Sequence, residues 1–211
     1  MRSLFGNNDN SGSKSGSDER VPRHSSGWKE LLNHLRAHES LRILDIGPTS
    51  SGNINYITSL GHSIYMANLV EESAKPEWLT SAADGEPPTF DVERFLAANL
   101  EFSGRIFDVV ILWDTADYLP ESLVGAVLDR IHQVMQPGGL MLAFFHAATG
   151  PEMAFSRYNL TDTDHVEMQR AGSYPLLHIY SNRKIEAMLA AFSGYKSFLA
   201  KDSLREIIAT R

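Results

Sequence analysis

Residues 42–54 combine glycines, one carboxylate and several hydroxyl side chains in a spacing that can hold a small ligand. An apolar run ends at Gly47, and apolar residues at helical spacing resume at Ile54, which predicts a strand, a tight turn and a helix. Gly47 and Gly52 let the backbone approach a ligand closely, and the first N–H groups of the helix attract negative charge. The same pattern also fits a plain turn without a ligand.

Side chains that can move a proton follow two later strands. Residues 107–113 form the clearest buried strand of the sequence, and Asp114 comes directly after it. A strand predicted at 140–145 is followed by His146, whose side chain titrates near neutral pH. Because ligands bind beyond the carboxyl ends of parallel strands, Asp114 and His146 are the candidate catalytic residues. Asp117 is expected to be a capping or solvated aspartate.

Strand and helix patterns alternate along most of the chain. Helices are predicted to begin at the caps Ser26, Asp91 and Ser181, after Gly52, and at Glu121. Strands are predicted at 41–46, 63–69, 107–113 and 140–145. This alternation predicts right-handed βαβ units and therefore an α/β fold with a doubly wound, mostly parallel sheet.

The two ends of the chain differ in composition. Residues 1–25 are rich in Ser, Gly, Asn and Asp, so we expect a disordered tail followed by one domain at 26–211. Residues 195–200 and 204–211 alternate like two strands, which predicts an antiparallel C-terminal hairpin at one edge of the sheet.

The segment 147–178 is predicted to form a lid over the strand ends. It has little periodicity, except that 157–161 and 165–168 can pair as a hairpin. Arg157, Tyr158 and Arg170 of this segment could face an anionic acceptor, but we expect them to lie on the surface of that hairpin.

Composition excludes several classes of function. The 211 residues include no cysteine, which excludes disulfides, thiolate catalysis and cysteine-ligated zinc, and no spacing of histidines and acids predicts a metal site. A net charge of −7 without a Lys/Arg cluster argues against nucleic acid, and no run reaches the roughly 18 apolar residues of a membrane span. We expect a cytoplasmic protein with a small-molecule substrate; the sequence carries no signal for its oligomeric state.

From Trp28 to Arg211, the order of these segments resembles the class I S-adenosylmethionine-dependent methyltransferases. Leu-Asp-Ile-Gly at 44–47 is similar to the family's first motif, 107–114 to its fourth-strand motif, and 135–140 to its Pro-Gly-Gly turn. The resemblance implies a Rossmann-like, seven-stranded sheet with a reversed last strand, and methyl transfer from S-adenosylmethionine to a small-molecule acceptor.

Two other functions stay open. The first is a non-catalytic protein with the methyltransferase fold that acts through protein–protein contacts. The second is a nicotinamide-dependent oxidoreductase, which is disfavoured because the turn lacks the Gly-x-Gly-x-x-Gly spacing.

The resemblance also implies a cofactor site. Asp45 is expected either near the amino-acid moiety of S-adenosylmethionine or as a structural carboxylate that accepts N–H groups of the turn. Asn68 stands where the family usually has an acid that holds the ribose hydroxyls, with Glu71 or Glu72 as a substitute. The predicted cofactor-binding residues are Asp45, Gly47, Gly52, Asn68, Asn99, Leu100, Trp113 and Asp114. Pro-Thr-Ser-Ser at 48–51 and the uncharged Asn68 depart from the family's pattern.

Overall fold

The computed structural model of the protein describes residues 19–80, 87–149 and 154–211. The strands in these ranges are β1 (Arg20–His24), β2 (Arg42–Ile46), β3 (Ser63–Ala67), β4 (Phe107–Trp113), β5 (Met135–His146), β6 (Ser156–Leu160), β7 (His165–Arg170), β8 (Gly194–Leu199) and β9 (Leu204–Thr210). The α-helices are α1 (Ser26–Ala37), α2 (Ser51–Ser59), α3 (Leu69–Ser73), α4 (Val92–Asn99), α5 (Glu121–Val134) and α6 (Asn182–Met188). Short 3₁₀ helices occupy Pro76–Trp78 and Thr115–Tyr118.

The central sheet has the strand order β3-β2-β4-β5-β9-β8. β3, β2, β4 and β5 are parallel, whereas β9 runs antiparallel to both β5 and β8. The predicted α/β fold with a mostly parallel sheet and a C-terminal antiparallel hairpin is therefore confirmed. The sheet has six strands in the described part of the chain, one fewer than the family resemblance implies.

Helices and a second sheet cover the two faces of the central sheet, which explains why β4 is apolar at nearly every position. Val110 and Leu112 pack into the cluster formed with α4, α5 and α6, and Val109 and Ile111 pack into the cluster formed with α1. The longest described helix, α5, has 14 residues, and none of the described helices is both long and apolar enough to cross a membrane.

The second sheet is antiparallel, with the order β1-β7-β6. The pairing of β6 with β7 confirms the hairpin predicted at 157–161 and 165–168. This sheet lies over the side of the central sheet that carries α1 and α2, since Tyr158 and Val166 pack in the same cluster as Trp28 and Ile57.

β1 corrects the expectation of a disordered tail as far as residue 25. Arg20–His24 pairs with β7, and the helix cap is Ser25, whose hydroxyl accepts the Trp28 N–H (3.0 Å), rather than Ser26. The sequence hides this strand because its pairing partner lies about 145 residues away. Residues 1–18 lie outside the described ranges.

The chain after β3 also differs from the prediction. β3 ends at Ala67, and the short helix α3 begins at Leu69, where the sequence predicts two more strand residues. In the described residues between α3 and α4, strand-type pairing is limited to a bridge between Leu79 and Phe90.

Candidate functional site

The turn after β2 lies at the carboxyl edge of the parallel strands, as predicted. The Gly47 N–H donates to the Ala67 carbonyl (2.9 Å), which places Gly47 beside Asn68 at the end of β3. The Asn68 amide donates to Glu71 Oε2 (2.8 Å), while its buried Oδ1 has no hydrogen-bond partner in the described part of the chain. A buried acceptor of this kind suits a hydroxyl group of a ligand.

The side chain of Trp113 lies directly on this turn. A Cβ atom at Gly47 would lie 3.0 Å from Trp113 Cδ1, so the absence of a side chain at Gly47 makes room for the indole. Trp113 Nε1 donates to Asp45 Oδ1 (2.8 Å), and the Thr49 hydroxyl donates to Asp45 Oδ2. Burial raises the pKa of Asp45 to about 6, although these two hydrogen bonds favour the ionised form. Side chains of the protein therefore satisfy both oxygens of Asp45.

An irregularity of β4 directs Trp113 toward the turn. The pairing of β4 with β5 shifts register between Ile111 and Trp113, and Trp113 has a φ of 51°. Strand irregularities re-aim the side chains next to them, and a positive φ is a costly conformation for a bulky residue. The indole stacks on the ring of Tyr158 at a centroid distance of 4.8 Å and an angle of 11°. This packing offsets part of the cost of the backbone conformation.

The second sheet also contacts the turn and the start of α2. The Arg157 Nε donates to the Pro48 carbonyl (3.0 Å), and the Asn53 amide donates to the Tyr158 carbonyl (2.9 Å). Gly52 is exposed in the first turn of α2, where an added Cβ would meet the cap Ser50 at 3.4 Å. Of the two predicted glycines, Gly47 is thus the one in contact with Trp113.

Asp114 and His146 meet at the ends of β4 and β5. Together with Asp117 and Tyr158 they form a buried set that we call the acid–base cluster. Asp117 Oδ2 accepts the backbone N–H of His146 (2.6 Å) and bonds to its Nδ1 (2.8 Å), and the Tyr158 hydroxyl donates to Asp114 Oδ2 (3.0 Å). A proton on Nδ1 in this arrangement leaves Nε2 as the basic nitrogen of the imidazole.

Burial dominates the electrostatics of the acid–base cluster. Asp114 is 1% exposed, and burial raises its pKa to about 7, with His146 opposing and the Asp117 charge adding to the shift. Burial by itself would lower the pKa of His146, but the hydrogen bond to Asp117 and the charge of Asp114 hold it above its ordinary value. Burial also raises the pKa of Asp117. The cluster can therefore exchange a proton near neutral pH.

A cavity of about 1040 Å³ lies beside the acid–base cluster. Asp114, His146 and Tyr158 line it together with residues of β1, β7 and the loop between β8 and β9. Asp114 Oδ1 is buried and has no hydrogen-bond partner among the residues described. The volume is at the upper end of the range of small-molecule pockets, and a few convergent polar groups in such a cavity are typical of a binding site.

Arg23 of β1 holds one wall of this cavity in place. Its guanidinium donates to Glu206 Oε1 (2.5 Å) and Asp202 Oδ2 (2.5 Å) and lies over the ring of Phe144. Glu206 also accepts the Gly27 N–H (2.5 Å). This buried ion pair connects the second sheet to β9 of the central sheet.

Asn99 and Leu100, two further predicted cofactor-binding residues, make hydrogen bonds within α4 and with α5. The Asn99 amide donates to the Phe95 carbonyl of its own helix (3.0 Å), and the Leu100 carbonyl accepts from Arg130 Nε on α5 (2.9 Å). Leu100 is fully buried in the core on the α5 side of the sheet. The structure therefore ties both residues to α4 and α5.

Sequence reasoning missed two members of the acid–base cluster. Asp117, expected to be a capping or solvated residue, is fully buried, and Tyr158, expected on the surface, is 2% exposed. The available signal for Asp117 was its position three residues after Asp114, which on one turn of helix brings both carboxylates to the same edge. The contacts of Tyr158 depend on how the second sheet docks, for which the sequence has no local signal.

The fold and these residues define a doubly wound protein with a candidate ligand site at the carboxyl edge of its sheet. A family model described as a methyltransferase domain matches residues 19–193. The chain belongs to this methyltransferase-domain family, which confirms the resemblance to the class I S-adenosylmethionine-dependent methyltransferases and decides against the nicotinamide alternative. The cofactor of these methyltransferases is S-adenosylmethionine. No curated protein matches the chain in sequence.

One solved structure shares the fold at low sequence identity, and two others are similar to the chain at lower TM-scores. The PH0226 protein of Pyrococcus horikoshii OT3 is 10% identical, with 87% of each chain covered and a TM-score of 0.51. A TehB-like SAM-dependent methyltransferase of Corynebacterium glutamicum is 12% identical, with 89% of each chain covered and a TM-score of 0.49. The 1,6-didemethyltoxoflavin-N1-methyltransferase of Burkholderia thailandensis is 16% identical over 88% of this chain and 77% of its own, with a TM-score of 0.45.

Proposed function

We propose that this protein transfers a methyl group from S-adenosylmethionine to a hydroxyl or N–H group of a small molecule bound in the cavity beside the acid–base cluster. Membership of the methyltransferase family supports the donor. The proposal for the methyl acceptor rests on Asp114. This residue is a buried carboxyl group at the cavity wall, and one of its oxygens has no hydrogen-bond partner among the described residues. Such an oxygen favours a ligand that brings its own hydrogen-bond donor.

The proposed cofactor site is the turn after β2 with the end of β3. Asn68 Oδ1 and the neighbouring Glu71 carboxylate accept hydrogen bonds from the ribose hydroxyls, and the unpartnered Oδ1 fits this role. Asp45 accepts from the amino group of the amino-acid moiety, and Gly47 permits its close approach. When bound, S-adenosylmethionine supplies a methyl group on a positively charged sulfur.

The acid–base cluster holds the acceptor and receives its proton. Asp114 Oδ1 accepts a hydrogen bond from the acceptor's O–H or N–H and takes that proton, while the charge of His146 favours the ionised form of Asp114. A base with a pKa of about 7 combines a substantial ionised fraction at neutral pH with useful basicity. Asp117 orients the imidazole of His146 through the bond to Nδ1. The burial of all these groups excludes water, which strengthens their electrostatic interactions.

A transfer assay tests this function. The full chain is incubated with S-adenosylmethionine carrying a tritiated methyl group and a panel of phenols, alcohols and N–H heterocycles. We expect label in at least one acceptor, a large loss of transfer in Asp114→Asn, and normal transfer in Asp129→Asn, which changes an exposed aspartate of α5. Undiminished transfer by Asp114→Asn would exclude Asp114 as the base. Failure of the wild-type chain to bind S-adenosylhomocysteine at millimolar concentration would exclude the donor.

A further inference from the structure

We propose that the Trp113 side chain occupies the place of the cofactor's amino-acid moiety and that S-adenosylmethionine must displace it in order to bind. We call the indole of Trp113 the plug. The inference rests on the proposed function, because it concerns access to the same cofactor site.

The contacts of the plug are those expected of a bound ligand. Its Nε1–H donates to Asp45 Oδ1 at 2.8 Å, and this is the carboxylate that is proposed to accept from the amino group of the cofactor. Its Cδ1 would lie 3.0 Å from a Cβ at Gly47, the position where the backbone is open to close approach. The plug is 3% exposed, so it fills this position rather than bordering it. Trp113 and the amino-acid moiety therefore cannot both contact Asp45 and Gly47.

The backbone at Trp113 supplies a reason for the side chain to move. A φ of 51° is unfavourable for a bulky residue, and the irregular pairing with β5 leaves β4 less regular at this point. A change to an ordinary φ would relieve this strain and turn the indole away from the turn. The plugged arrangement is held by side-chain contacts, chiefly with Asp45 and Tyr158.

An exchange at Asp45 favours the cofactor electrostatically. The indole N–H is a neutral donor, whereas the amino group of the cofactor is a cation. A hydrogen bond between two charged groups is stronger than one with a neutral donor, above all where the carboxylate is buried. The ligand can therefore replace the Trp113 contact with a stronger one, although part of its binding free energy is spent on the displacement.

The plug also connects the turn after β2, which we call the cofactor turn because the cofactor is proposed to bind there, to the cavity beside the acid–base cluster. Tyr158 stacks on Trp113 with its ring and donates to Asp114 with its hydroxyl, and it lines the cavity. Displacement of Trp113 removes the stacking partner of Tyr158. Binding of the cofactor is thus coupled to the residue that holds Asp114, on the path between the two proposed sites.

Calorimetry with S-adenosylhomocysteine tests the plug, because this probe binds without an acceptor and is not turned over. Trp113→Gly removes the indole and tolerates the positive φ. We expect its dissociation constant to be about tenfold smaller than that of the wild type, or smaller still, since no side chain has to leave. Trp28→Phe is the matched control, because it changes a buried tryptophan of α1 and should leave the dissociation constant at the wild-type value.

A second measurement keeps the test decisive if Trp113→Gly does not fold. The chain has three tryptophans, so Trp28→Phe combined with Trp78→Phe leaves Trp113 as the only one. We expect S-adenosylhomocysteine to shift the emission of Trp113 to longer wavelength and to increase its quenching by acrylamide.

Three results would overturn the proposal. Equal or weaker binding by Trp113→Gly, or saturation of the probe with unchanged Trp113 emission, would remove the plug and leave the proposed function standing. Absence of binding by the wild type and all variants at millimolar probe would overturn both the plug and the methyl donor.

Discussion

The two sites at the carboxyl edge of the sheet differ in how their buried carboxylates are satisfied. At the cofactor turn, where S-adenosylmethionine is proposed to bind, Trp113 donates to one oxygen of Asp45 and Thr49 to the other. In the acid–base cluster, Asp114 and Asp117 each keep one buried oxygen without a hydrogen-bond partner in the described part of the chain.

This difference has an energetic meaning. A buried carboxylate with all its hydrogen bonds made is stable in that state, whereas an unpartnered one raises the free energy of the folded protein. The cofactor turn is therefore closed by its own side chains, and the acid–base cluster is prepared for a partner that brings a donor. Trp113 and Tyr158 connect the two sites. Their rings stack on each other, and Trp113 donates to Asp45 whereas Tyr158 donates to Asp114.

Removal of the Asp114 charge should cause the largest loss of activity among these variants. In Asp114→Asn the proton acceptor is lost while the size of the side chain is kept, so we expect kcat to fall by about 100- to 10,000-fold. The measurement is methyl transfer to an acceptor found in the panel, with Asp129→Asn as the control. If kcat falls by less than threefold, the unpartnered oxygen of Asp114 has no catalytic role, and the two sites differ only in how their carboxylates are hydrogen-bonded.

The cavity side also depends on a buried ion pair that the turn side does not use. In Glu206→Ala the Arg23 guanidinium loses its buried partner, so the free energy of unfolding should fall by about 3–5 kcal/mol. For a chain of this size the melting temperature should fall by roughly 10 °C. Glu30→Ala breaks an exposed pair with Lys196 and should change stability by less than about 1 kcal/mol. Equal losses of stability in the two variants would contradict the inference that the Arg23–Glu206 ion pair holds the second sheet against β9.

The raised pKa of Asp114 predicts how activity depends on pH. A base must be ionised, so kcat should rise by about tenfold per pH unit below the pKa of about 7 and level off above it. The pH profile of the wild type measures this. A rate that is flat between pH 5 and 8 would show that Asp114 is ionised throughout or does not act as the base.

The same raised pKa predicts that the stability of the folded protein falls as the pH rises, whereas kcat increases. Because the pKa of Asp114 is raised from 3.8 to about 7 in the folded state, the folded protein binds more protons than the unfolded chain between these values. The protonated Asp114 carboxyl group therefore contributes its full stabilisation below pH 3.8, and this contribution is lost as the pH rises through about 7. Urea unfolding at pH 5 and pH 8 should therefore show a smaller difference for Asp114→Asn than for the wild type; an equal difference would contradict the raised pKa.

The smallest effect is expected at the ribose end of the cofactor turn. Asn68→Ala removes one neutral acceptor, so binding of S-adenosylhomocysteine should weaken by about fivefold, equivalent to roughly 1 kcal/mol. Asn55→Ala, at an exposed position of α2, is the calorimetric control. Unchanged affinity in Asn68→Ala would show that the unpartnered Oδ1 does not face the ligand.

Local patterns in the sequence predicted the frame of the molecule. Apolar runs and caps identified β2, β4, the helix at 121–134 and the C-terminal hairpin. The parallel order then brought Gly47 next to Asn68, and Asp114 to the same edge as His146, because strand ends at one edge are fixed by topology. These features follow from a period of two or of 3.6 residues and from turn residues.

The missed features depend on contacts between distant segments. β1 is held by β7 and by the ion pair of Arg23 with Glu206, which local composition does not encode. The direction of Trp113 results from an irregular register and a positive φ, whereas strict alternation treats it as another core residue. Asn99 and Leu100 were assigned by the resemblance alone, and their role in cofactor binding stays a prediction.

A crystal structure of the chain with S-adenosylhomocysteine tests the central claim most directly. We expect the ribose hydroxyls at Asn68, the amino group of the ligand at Asp45, and the indole of Trp113 turned away from Gly47. A ligand bound elsewhere, with Trp113 still hydrogen-bonded to Asp45, would contradict both the cofactor site and the plug.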